Sequence, residues 1–268
     1  MKKTAIAIKL LPAIIGLGLA TLAPVASAHI GVVNIAPPFA IATKTYQLIL
    51  AIPHGCETTV NGTATTLDTY KFEVAIPAGF TGVRPIIDSV FGRPVITKDG
   101  TGAVTNLVWT KTPALNNTTD DQSYRIAIQG VPPNAPFTTI QFNAKQYCKN
   151  PVDGGADIVT DWANFPGTGG TTSNQSPKVK VYPLRAPGWN KYNLAAGNEK
   201  NTAADVVGFM TDFFSDAQIV WVGKAAFSAN PITATKIKAL AAKDATYFDL
   251  STKTDATIKA TDDIMVKY

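Results

Sequence analysis

Residues 43–56 read TKTYQLILAIPHGC. The β-favouring run from Thr43 to Ile52 stops at Pro53, which has no N–H to give a sheet ladder. Its length and its breaker predict a strand rather than a buried helix. The same pattern recurs outward from it. Thr69–Ile76 ends at Pro77, and Val104–Thr110, Tyr124–Gln129, Thr138–Gln146 and Lys178–Tyr182 follow, with Asp99-Gly100, Asn116-Asn117, Pro132-Pro133 and Gly167–Gly170 as punctuation. About seven strands without a helical period between them predict an antiparallel β-sandwich, immunoglobulin/fibronectin-like, over residues 29–183. Gly167 to Ser176 reads as a flexible loop, since no helix follows it and no Lys stands where a phosphate-binding loop needs one.

After Tyr182 the period changes. Val206, Phe209, Met210 and Phe213 have helical spacing within Thr202–Phe214. Asn230-Pro231 supplies a cap and a first-turn Pro for a helix over Ile232–Lys243. With short strands at Gln218–Val222 and Ile264–Lys267, residues 184–268 read as a small α+β segment appended to a mainly β protein. Trp189, Trp221, Phe213 and Phe214 are expected in its core, and Trp109 in that of the sandwich.

The chain of 268 residues is 46% hydrophobic and 16% charged, which excludes a disordered chain or a charged coiled coil. Three of the 24 basic residues (Lys2, Lys3, Lys9) lie in a leader, leaving 21 against 19 acidic ones. So even a balance, with no basic face and no interleaved aromatics, gives no nucleic-acid footprint.

Residues 1–28 have the marks of a signal peptide: Lys2-Lys3, an apolar run from Leu10 to Leu22, Pro24, and Ala26-Ser27-Ala28 before the cut. The run is shorter than the ~20 residues a membrane span needs, and no other segment could span. Cleavage after Ala28 implies a periplasmic or secreted protein whose first residue is His29. His29 and His54 are the two histidines of the chain. A first-position His offers its α-amine and its imidazole Nδ1 to one ion, and nitrogen donors favour Cu(II). Otherwise it is a frayed terminus. In an exported chain, Cys56 and Cys148 predict one disulfide, worth up to about 4–5 kcal/mol by chain entropy. It would pin the segment beside His54.

Several segments together resemble exported YcnI-like copper-binding proteins: a leader ending before His29, Ile52-Pro53-His54-Gly55-Cys56, Gln146-Tyr147-Cys148, and Ile158-Val159-Thr160-Asp161-Trp162 before a Gly-rich loop. They span 29–183. Ala217–Gly223 and Met265–Tyr268 look like the C-terminal extension of some proteobacterial members. The resemblance implies a mono-histidine brace for Cu(II): the first residue gives amine and imidazole, a carboxylate near the next strand end coordinates, and a Trp covers the ion. His29 takes the first role and Trp162 the last, although Trp162 also suits the core. Where brace-type members carry the acid, this chain has His54, the expected second ligand, with Glu57 the alternative; His54 could instead cap the strand end.

The expected function is therefore Cu(II) buffering, trafficking or delivery, without catalysis. The expected partners are the copper ion and a copper transporter or periplasmic metallochaperone. A copper mono-oxygenase with an N-terminal histidine brace is the alternative, and a metal-free secreted structural or interaction domain the third reading. Neither a Gly-x-Ser-x-Gly elbow nor further imidazoles support hydrolytic chemistry. Asp120-Asp121 and Asp262-Asp263 read as solvated turn charges, and Met210 and Met265 are too few for a soft Cu(I) site.

Overall fold

A computed structural model describes residues 30–33, 39–112, 120–152, 155–162 and 175–268. The leader, His29, Asn116-Asn117 and the Gly167–Gly170 loop lie outside the described residues.

The chain forms β1 (Gly31–Val33), β2 (Ala40–Ile41) and β3 (Tyr46–Ile52), then the hairpin of β4 (Cys56–Val60) and β5 (Thr63–Leu67). Next come β6 (Thr69–Ala75), β7 (Thr81–Pro85), β8 (Val95–Lys98), β9 (Val104–Thr110) and β10 (Tyr124–Val131). β11 (Thr138–Gln141), β12 (Ala144–Cys148), β13 (Ile158–Trp162) and β14 (Lys178–Tyr182) complete this part. One layer joins the sheet β1-β3-β10-β7 and the sheet β11-β14-β2; the other is β13-β12-β6-β9-β8. Nearly all pairs are antiparallel, β14 with β2 being parallel. Burial alternates along β3 and β10, and Leu48, Leu50, Ile52, Ile126 and Ile128 meet Phe72, Val74, Leu107 and Trp109 in one core. This period-2 interdigitation of two inner faces makes the protein a mainly β, antiparallel sandwich.

One strand expected from the sequence divides in two, and one hairpin was not foreseen. Thr138–Gln146 is two strands in different layers, broken at Phe142-Asn143, because the buried Phe142 turns the chain from one sheet to the other. The β4–β5 hairpin was hidden by its polar threonines, yet Asn61-Gly62 marks it: both residues have positive φ, 49° and 80°, as a two-residue hairpin turn requires.

The C-terminal segment forms β15 (Trp189–Tyr192), α1 (Ala203–Phe214), β16 (Ile219–Val222), β17 (Ala225–Phe227), α2 (Pro231–Lys243), β18 (Phe248–Asp249) and β19 (Ile264–Lys267). Its strands are ordered β15-β19-β16-β17-β18. Thr202 and Asn230 cap the two helices by accepting from Asp205 N and from Ile232 N and Thr233 N. The apolar stripe Val206, Phe209, Met210, Phe213 and Phe214 is buried on the sheet. Trp189 is not core: it is 54% exposed on the edge strand β15, and Trp221 is half-buried against Tyr247. Asp263 pairs with Lys191, and the Asp262 carboxylate accepts from Lys259 N.

Phe137 joins the two parts. Its backbone has φ 64°, a strained left-handed conformation for a bulky residue, and its N–H is held by Val181 O. The ring thereby lies among Tyr192, Phe209, Phe213 and Phe214, with centroids 5.3–5.6 Å away. Arg185 fastens the same seam, stacked on Phe39, Tyr182 and Tyr268 and paired to Asp216 at 2.5 Å. Phe137→Ala should cost about 3–5 kcal/mol of stability in denaturant unfolding. A loss below about 1 kcal/mol would mean that the seam does not depend on this ring.

Candidate functional site

Pro53 ends β3, and the next three residues turn back on the sandwich. Gly55 lies so close to the end of β5 that a Cβ on it would fall 1.7 Å from Leu67 O and 2.5 Å from Leu67 C. Only glycine permits that approach. Cys56 then bonds Cys148 on β12, with Cα atoms 5.9 Å apart, as the cysteine spacing led us to expect. Leu67, Cys56 and Cys148 form a small apolar cluster under the loop, with Ile158 against it. Gln146, almost fully buried, donates through Nε2 to His54 O and to Thr69 Oγ1, both at 2.6 Å. Three restraints thus fix the backbone of His54: a close glycine contact, a covalent bond and a buried amide.

The imidazole is fixed as well. His54 Nδ1 lies 2.7 Å from Gly55 O. A carbonyl only accepts, so Nδ1 is the donor here, and in the neutral tautomer this leaves the lone pair on Nε2. Nε2 faces Glu57 Oε1 at 3.9 Å, on a side chain 74% exposed. The two groups treated as alternatives for one role stand side by side. The sequence offered Gln146 and Gly55 as parts of motifs but not their restraining roles, which depend on contacts between residues 12 to 92 positions apart.

β1 runs antiparallel to β3 with Gly31 opposite Ala51 and Val33 opposite Ile49. The N-terminal end of β1 is therefore at the end of β3 from which Pro53 and His54 emerge. Ile30 is buried in the sandwich core, one peptide bond after His29. Trp162 is placed elsewhere. It is 4% exposed in the same core, registered against Ala144, whereas Ile158 lies opposite Cys148 at the His54 end. Four residues of strand, about 13 Å, separate those two levels. Its carbonyl accepts from Ser176 Oγ at 2.6 Å. Among the described residues no group of three or more His, Cys, Asp or Glu side chains gathers into a metal cluster.

Polar contacts tie down the flank of this corner. Tyr70 donates to Asp157 Oδ2, and Lys149 Nζ lies 3.0 Å from Asp157 Oδ1 and 4.1 Å from the Tyr70 ring centroid. Burial pushes the Asp157 carboxyl up, but the Tyr70 and Lys149 hydrogen bonds more than offset this and hold it below the usual carboxylate range.

No protein-family model matches the chain, and no curated protein matches it. A crystal structure of an uncharacterized protein from Nocardia farcinica, described as an immunoglobulin-like fold, is similar over 58% of this chain and 99% of that one. The identity is 18% and the TM-score 0.45. The sandwich assignment rests on the sheets and their shared core.

Gly55→Ala should force the loop off Leu67 and cost about 3 kcal/mol or more, whereas Gly100→Ala, with open space around it, should be near neutral. Equal melting temperatures for the two variants would contradict the close contact. Asp157 is lowered on folding, so its contribution is full above its unfolded pKa of about 3.9 and fades as pH falls through the folded value. The stability difference between wild type and Asp157→Asn should accordingly be flat near neutrality and shrink in acid. A difference that grows in acid would reverse the sign.

Proposed function

We propose that the protein is an exported Cu(II) carrier, and that His54 is the internal ligand beside the mature N-terminus. The observation that carries this reading is the locked imidazole: Nδ1 held by Gly55 O, Nε2 directed at Glu57 Oε1, and the start of β1 at the same end of the sandwich. An Nδ1 hydrogen bond to a backbone carbonyl is the usual device for orienting a metal-binding Nε2. His54 and Glu57 offer an imidazole and a carboxylate to one cation. The further donors a copper ion needs would come from the amine and imidazole of His29 once the leader is removed. Copper is cargo on this reading, to be buffered or passed to a transporter or metallochaperone. Trp162 lies in the sandwich core, four strand residues from the His54 end, and takes no part in the ligand set on this reading.

Calorimetric titration of the chain beginning at His29 with Cu(II) should show tight one-to-one binding, and adding a single Ala before His29 should abolish it. Gln146→Ala, which frees the His54 backbone, should weaken binding by about 10–100-fold. Unchanged affinity in the Ala-extended chain would refute the brace. Sustained copper-dependent oxidative cleavage of a polysaccharide, lost in His29→Ala, would favour the mono-oxygenase reading instead.

A further inference from the structure

Just below the His54 loop the sandwich encloses a lysine and an aspartate. Asp68 lies in the turn between β5 and β6, and Lys111 follows β9, its N–H bonded to Tyr70 O. Their side chains are 2% and 1% exposed, with Lys111 Nζ 2.5 Å from Asp68 Oδ2. Tyr124, the first residue of β10 in the opposite layer, closes a triangle: it accepts from Lys111 Nζ at 2.6 Å and donates to Asp68 Oδ1 at 2.8 Å. Aromatic rings form the walls. Nζ is 4.0 Å from the Tyr124 ring centroid and 5.5 Å from that of Phe91, and the two rings meet edge to face.

A dry ion pair of this kind is expensive, since each charge has given up its hydration. It is also the reactant pair for an amide. We propose that Lys111 and Asp68 join in an intramolecular isopeptide bond, with Tyr124 as the proton carrier between them. A proton first passes from the Lys111 ammonium to the Asp68 carboxylate, Tyr124 accepting from Nζ while giving its own proton to Oδ1. The amine lone pair then attacks Cγ, forming the C–N bond and a tetrahedral intermediate with two oxygens. Tyr124 returns a proton from nitrogen to one of those oxygens, the C–O bond breaks, and water leaves. Ammonium plus carboxylate becomes secondary amide plus water, with no oxidant, reductant or activating group required.

Two features favour the forward direction. Groups held in contact react with effective molarities of about 10⁵–10⁸ M. The product also exchanges two buried charges for one neutral amide, which an apolar site tolerates far better. Tyr124 suits its task because burial, with the Asp68 hydrogen bond and charge added, pushes its phenol well above the ordinary value. It stays protonated and can pass a proton without itself being left ionised. The bond would tie the β5–β6 turn to the end of β9, next to the Leu67 carbonyl on which Gly55 rests. It would make the floor of the His54 loop covalent on a second side.

Peptide mass spectrometry of the full chain, purified, reduced, alkylated and cut with trypsin, tests this directly. The expected product is a branched peptide joining residues 45–71 to 99–125, uncut at Lys111 and lighter than its two parts by one water. Separate peptides 45–71 and 99–111 with no branched species would overturn the proposal. Lys111→Arg, which keeps the charge but cannot form the amide, should abolish the branched peptide. Asp68→Asn should give the same branched mass through loss of ammonia. Tyr124→Phe should lower the cross-linked fraction in freshly made protein, and an unchanged fraction would remove Tyr124 from the mechanism.

Discussion

One backbone contact organises the His54 end of this protein. Gly55 lies on the carbonyl of Leu67 at a separation that no side chain allows, and Cys56 is bonded to Cys148 immediately afterwards. Together they draw three otherwise separate pieces into one corner: the end of β3, the β4–β5 hairpin, and the edge formed by β12 and β13. A hairpin alone is marginally stable in water. Here it is held covalently and by the small Leu67 cluster, so the loop carrying His54 stands on a fixed base.

That corner also concentrates the unusual electrostatics of the fold. The centre of the sandwich is plain period-2 packing of Leu, Ile, Val, Phe and Trp. At the His54 end the interior turns polar, with Gln146 bridging His54 O to Thr69 and the Asp68, Lys111 and Tyr124 triangle spanning both layers. Such groups cost free energy to bury unless each finds partners, and in return they restrict the chain to one arrangement. The opposite junction, with the C-terminal part, works by aromatic packing around Phe137 and by the Arg185 stack.

The sandwich and the two helices were legible because they follow simple periods. β3 alternates with its core, α1 buries its predicted stripe, and Asn230-Pro231 begins α2 as its chemistry requires. The disulfide followed from the cysteine count. What escaped was non-local or polar. The β4–β5 threonines gave no hydrophobic signal, Trp189 looked like core in composition but lies on a sheet edge, and nothing in the sequence around Lys111 marks its burial. For the candidate site, His54 and Glu57 were visible as residue types, while the hydrogen bond that leaves Nε2 available could be seen only once the loop was folded.

The central claim is that a fixed His54 imidazole and the mature N-terminus share one copper ion. Electron paramagnetic resonance of the chain beginning at His29, with one equivalent of Cu(II), tests it most directly. The account predicts nitrogen couplings from the α-amine and both imidazoles, with one imidazole coupling lost in His54→Ala. A spectrum with oxygen donors alone, or one that His54→Ala leaves unchanged, would contradict it.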